Sequence, residues 1–143
     1  MRNPGTVPGS AGGSAGGSTG GSAGGVPPGW PPEVRPAGAP DWRLSATAWL
    51  LDQCPPEYRS HAVLVRHPLV LAWLCGRHAA AQAEAVRAAL AGARADLAGA
   101  VDAPTVAALF EALEAERVRL IAVRRAVGLV EEALRGHRHV PRL

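Results

Sequence analysis

The sequence predicts an all-α protein: a long antiparallel, coiled-coil-like helical hairpin, a short N-terminal helix packed at its open end, and a disordered Gly/Pro-rich N-terminal tail. Three observations carry this expectation. Residues 1–40 hold 12 of the 17 glycines and 8 of the 13 prolines but only three charged side chains, Arg2, Glu33 and Arg35. Such a stretch lacks the apolar content to bury a core. Two later stretches, 68–99 and 103–135, keep a helical pattern with no proline beyond their first turn. The second of these also carries an apolar seven-residue repeat. The roughly 100 residues after position 40 suffice for one small domain, which excludes a large multi-domain enzyme.

Along the chain, residues 12–25 read GGSAGGSTGGSAGG, a repeat expected to behave as flexible coil. The following VPPGWPPEVRPAGAP, residues 26–40, is expected to be extended polyproline-like tail, with a Pro-motif ligand as the alternative. Initiation at Val26 through a GTG codon is a further alternative that would leave residues 1–25 outside the protein. The domain proper is placed at 41–136, followed by a basic tail at 137–143.

Asp41 is expected to cap a first helix at 42–53, with Trp42, Ala46, Trp49 and Leu50 on one face. Leu44, Ala48 and Leu51 lie off that face, so cover is expected on more than one side. Pro55 and Pro56 end the helix, and Pro56 can open a short helical turn through Tyr58. Pro68 starts the second helix, 68–99. Asp102 caps the third, 103–135, with Pro104 in its first turn and Gly136 as terminator. The short link between two helices of this length requires an antiparallel hairpin.

The hairpin register follows from the repeats. Val106, Leu113, Leu120, Val127 and Leu134 recur at sevens, accompanied by Leu109, Val123 and Val130. The second helix answers with Leu69, Gly76, Ala83, Leu90 and Leu97, and with smaller residues between them. Folding at residues 101 and 102 pairs positions whose numbers sum to about 203, so Gly76 faces Val127 and Leu97 faces Val106. Bulky residues then meet small ones. Glu116 falls on the seam with Arg87 at the complementary position, which predicts a structural cross-helix ion pair. Trp30, Trp42, Trp49, Tyr58 and Trp73 all precede residue 74, so the first helix is expected to pack at the hairpin's base near Trp73. The distal arm is left as two bare helices exposing Phe110, Val118, Ile121 and Leu129, which are the interaction-surface candidates.

Charge narrows the function classes. All fifteen basic residues are Arg, and after residue 40 they alternate with acids as on a solvated helix surface, so a nucleic-acid partner is not expected. Arg66, Arg138, Arg142, Arg124 and Arg125 leave a nucleic-acid-binding accessory as the third-ranked reading. The longest uncharged apolar run, Leu69 to Gly76, spans 8 residues, against the roughly 20 that cross a bilayer, so no membrane is expected. No signal-peptide pattern is present at the N-terminus, and a cytoplasmic location is expected. Cys54 and Cys75 form neither a disulfide framework nor a paired zinc spacing and are expected to be core thiols.

Chemistry-bearing constellations are few. His67, His137 and His139 are the metal-site candidates, because antiparallel pairing brings the start of the second helix beside the C-terminal tail, with Cys54 and His61 on nearby loops. Solvated histidines are the preferred reading, and no cofactor is expected. Cys75 and His78 share a helix face at i, i+3 but lack an orienting third group or oxyanion site. No phosphate-cradling glycine loop or nucleophile elbow occurs, and no catalytic residue is expected.

The segments DWRLSATAWLLDQCPPEYRSHAVLVRHP, residues 41–68, and RRAVGLVEEALRGHRHVPRL, residues 124–143, resemble a group of small helical proteins of GC-rich bacteria that carries no assigned activity. The likeness covers about Val26 to Leu143. It implies a helical fold and transfers no functional residue. The expectation drawn from all of this is a non-enzymatic helical interaction module, forming a homo-oligomer or binding another helical protein. The alternative is a small metal- or anion-binding module at the hairpin base.

Overall fold

A computed structural model describes residues 25–137. The Gly/Ser repeat up to residue 24, His139, Arg138, Arg142 and the rest of the C-terminal segment lie outside the described residues. The elements are α1 (Trp42–Asp52), a 3-10 turn (Pro56–Ser60), α2 (Ala62–Arg66), α3 (Pro68–Asp96) and α4 (Ala103–Leu134). Helices α3 and α4 pack along each other as the hairpin, and α1 lies against both.

The register is the predicted one. A Cβ built on Gly76 lies 3.7 Å from Val127 Cγ1, the Arg94 guanidinium sits 4.4 Å from the Phe110 ring centroid, and Leu97 and Val106 line the same hollow at the tip. Helix α4 is unbroken. Asp102 caps it by accepting a hydrogen bond from the Thr105 N–H at 2.9 Å. It closes in a Schellman turn, with the Gly136 N–H bonded to the Ala133 carbonyl and the His137 N–H to that of Glu132. Gly136 supplies the required left-handed backbone, φ 85°.

The core is concentrated at the base, where Trp42, Ala46, Trp49, Leu50, Leu51, Cys54, Leu64, Leu71, Ala72, Cys75, Ala126, Val127 and Val130 form one buried cluster. Further along the hairpin, Leu90, Leu97, Val106, Leu109 and Leu113 are only half-buried, because two helices cover each other on one side alone. Helix α1 buries the predicted face and Leu51, while Leu44 and Ala48 stay exposed, so its cover extends to one further side only.

Five expectations need correction. The boundary of the folded part is not at residue 40. Val34 is 3% exposed within the basal core, and Trp30 packs against that core. Residues 27–39 are a series of turns and not extended polyproline. The N–H groups of Trp30, Val34 and Ala39 bond to the carbonyls of Pro27, Pro31 and Pro36 at 3.0–3.1 Å. Gly29 and Gly38, at φ 90° and 89°, take the third turn position that needs positive φ, while proline fits the first two. The segment is fastened by Trp30 Nε1 donating to the Val34 carbonyl at 2.9 Å and by the Arg35 N–H donating to Ser45 Oγ at 3.0 Å.

Asp41 does not cap α1 with its side chain. The turn that delivers the chain from Ala39 leaves Asp41 left-handed, φ 58°, a region that Asp tolerates better than most residues. The expected Arg87–Glu116 bridge is also not made. Arg87 binds Glu84 at 2.9 Å and Glu116 binds Arg119, since each has an opposite charge three residues away on its own helix, at no cost in bridging the seam. Trp73, finally, stays outside the basal core at 47% exposure. Leu71, Ala72 and Cys75 take the inward face, which turns Trp73 outward beneath the Arg77 guanidinium, 5.2 Å from its centroid.

Candidate functional site

The four interaction-surface candidates separate in space. Val118 and Ile121, 62% and 58% exposed, lie one turn apart on α4. At 100° per residue they sit on the side opposite Leu120, Val127 and Val130, which face the hairpin seam and core. Phe110 is half-buried beneath Arg94. Leu129 is half-buried in a basal cleft that it lines with Trp30, Pro36, Trp42, Ala133 and His137. Of the four candidates, Val118 and Ile121 are therefore the exposed pair. By helix geometry, Glu114 stands one turn before it and Arg125 one turn after it, on the same stripe. Both are exposed, and Glu114 holds Arg117 at 2.9 Å.

His67 is the exposed residue that precedes α3, His137 is exposed just beyond Gly136, and His139 is outside the described residues. Among the described residues, no group of three His, Cys, Asp or Glu side chains converges as metal ligands would. His61 is exposed before α2. His78 is half-buried, with its ring 6.1 Å from that of Tyr58.

Two arrangements escaped the sequence reading. Val63, Val65, Val70 and Trp73 are exposed apolar side chains on α2 and the first turns of α3. The chain's two cysteines are neighbours in the core: Cys54, just past α1, and Cys75 of α3 belong to the same buried cluster. The Cys75 thiol also points at the Leu50 carbonyl, 3.9 Å away. The neighbouring Cys75 thiol and, to a smaller extent, the Arg59 guanidinium lower the Cys54 pKa against the opposing effect of burial. Cys75 is pushed up, chiefly by the neighbouring Cys54 and by burial. A separation of 21 positions gives no local periodic signal for that meeting; the pairing of α1 with α3 creates it.

Among the described residues no helix is long and apolar enough to cross a membrane. Compared with known protein families, curated proteins and solved structures, the chain shows no match.

Proposed function

We propose that the protein is a helical self-association module whose working surface is the outer face of α4. The observation that carries this reading is the outward Val118–Ile121 pair flanked by opposite charges, Glu114 on one side and Arg125 on the other. A twofold interface places the same patch against itself. With two α4 helices antiparallel and the axis between residues 118 and 121, Val118 meets Ile121 of the second copy, and Glu114 meets Arg125. Each apolar residue gains an apolar mate and each charge an opposite one. Two such hairpins would form a four-helix layer, which supplies the cover that a two-helix arm lacks.

Light scattering during size exclusion at tens of micromolar is expected to give a dimer. Val118→Glu with Ile121→Glu should give a monomer of unchanged helicity. Glu114→Arg alone should weaken the dimer by opposing like charges, and Glu114→Arg with Arg125→Glu should restore it. A wild-type monomer at that concentration, or no rescue by the double exchange, overturns the reading.

A further inference from the structure

From Tyr58 to Ala83 the chain carries three Arg and three His and no acidic residue, although acids are spread through the rest of the folded part. This stretch makes up the end of the 3-10 turn, α2 and the first half of α3. Helix α2 turns Leu64 into the basal core, which leaves the exposed Arg66 on the opposite side and the exposed Val63 and Val65 on its two flanks. Helix α3 turns Leu71, Ala72 and Cys75 inward, so Val70, Trp73 and Arg77 run along its outer side, all three exposed. Joined by His67 alone, α2 and α3 pack on each other and bury into one cluster, so their outer faces adjoin. Three valines and a tryptophan thus share a surface with two guanidinium groups, of which Arg77 lies 5.2 Å from the Trp73 ring centroid.

We propose that this surface docks the protein on a bilayer of anionic phospholipid. The charge is complementary. Arg66 and Arg77 are cations with no acid in their own stretch, while the acids that bound it are Glu57 and Glu84, the latter held by Arg87. Arg59 is engaged by Asp52 and is not counted. The shape favours lipid over a protein partner. The apolar side chains project from the outer sides of two helices, and none of them lines the basal cleft or the hollow at the tip. A fluid headgroup layer accommodates such projections without a matching cavity. Indole rings rest at headgroup level, and a guanidinium held over the ring meets phosphate at that same depth. No spanning helix is required, because side chains of this kind enter only roughly 5–10 Å, to the boundary between headgroups and acyl chains. The surface lies on α2 and α3 and is independent of the proposed dimer face on α4.

The test is sedimentation of the full chain with vesicles of phosphatidylcholine alone and of an equal mixture with phosphatidylglycerol. The expected result is retention by the mixture only, weakening as salt is raised, with tryptophan emission shifted to the blue and quenched by brominated lipid. Trp73→Ala with Val70→Ser should abolish retention at unchanged helicity, and Arg66→Gln and Arg77→Gln should each weaken it roughly fivefold. Trp73→Phe should remove the lipid quenching from the chain that is still retained, since Trp30, Trp42 and Trp49 pack in the base. The Val118→Glu, Ile121→Glu chain should be retained like the wild type, so failure of the dimer leaves this result standing. No retention by the mixture at low salt, equal retention by the neutral vesicles, or retention that the Trp73 and Val70 changes leave intact would each overturn the proposal. Capture by immobilised polyglutamate without capture by the vesicles would assign the surface to an acidic protein and overturn it as well.

Discussion

Gly76 shows how finely one position is set. A methyl group there would reach Val127 Cγ1 at 3.7 Å, an ordinary contact distance. Alanine therefore fits while removing the helix penalty of glycine, and Gly76→Ala is expected to stabilise by about 1 kcal/mol. Gly76→Leu has no such room and should cost about 1–3 kcal/mol by overpacking the Val127 side of the seam. Urea denaturation of the two variants checks both signs, and destabilisation by alanine would contradict the close register. The same scale explains the missed ion pair. Glu84–Arg87 and Glu116–Arg119 are each spaced by three, so the intrahelical partners were legible in the sequence, and this local spacing prevails over the complementary positions across the seam.

Among the elements, α4 was the most legible, because its seven-residue repeat and both ends are local signals. The Asp102 cap, the Gly136 terminator and the unbroken helix between them all appear as the spacing predicts. The cap gives a pH-dependent prediction. Accepting the Thr105 bonds lowers the Asp102 carboxyl below its ordinary pKa. Its contribution to stability is therefore full above the unfolded value, about 3.9, and is lost as the pH falls through the lower folded value. Asp102→Ala should melt earlier than the wild type at neutral pH, with the two curves converging only at the acid end. A difference that persists unchanged below that range would place the effect of the substitution elsewhere. The α1 cap failed because its geometry is fixed by the preceding turn, which side-chain type alone does not specify.

For the whole molecule, the base and the arm were both foreseeable, but the strap of proline turns that completes the base was not. Proline-rich sequence suits extended and turned backbone alike. The choice here is made by Gly29 and Gly38 at the turns and by Trp30 and Val34 seated against the core. A chain beginning at residue 41 should consequently be less stable than one beginning at residue 25, and Val34→Ala alone should cost about 2 kcal/mol. Calorimetry on the three chains decides this, and equal melting temperatures would show that the strap adds nothing. The cysteine meeting was invisible for the related reason that it belongs to the packing of α1 on α3 and to no stretch of sequence.

The strap also fixes a timetable. Gly29 rests against the Arg125 side chain, and Trp30 shares its cleft with Leu129 and Ala133, so nearly the first described residues find their seats on nearly the last. On the ribosome, where chains emerge at about 5–20 residues per second, those seats appear only after the hairpin has been made. The apolar side chains of the strap must wait in water for several seconds, spaced among prolines and glycines that keep them from joining a β-ladder in the meantime.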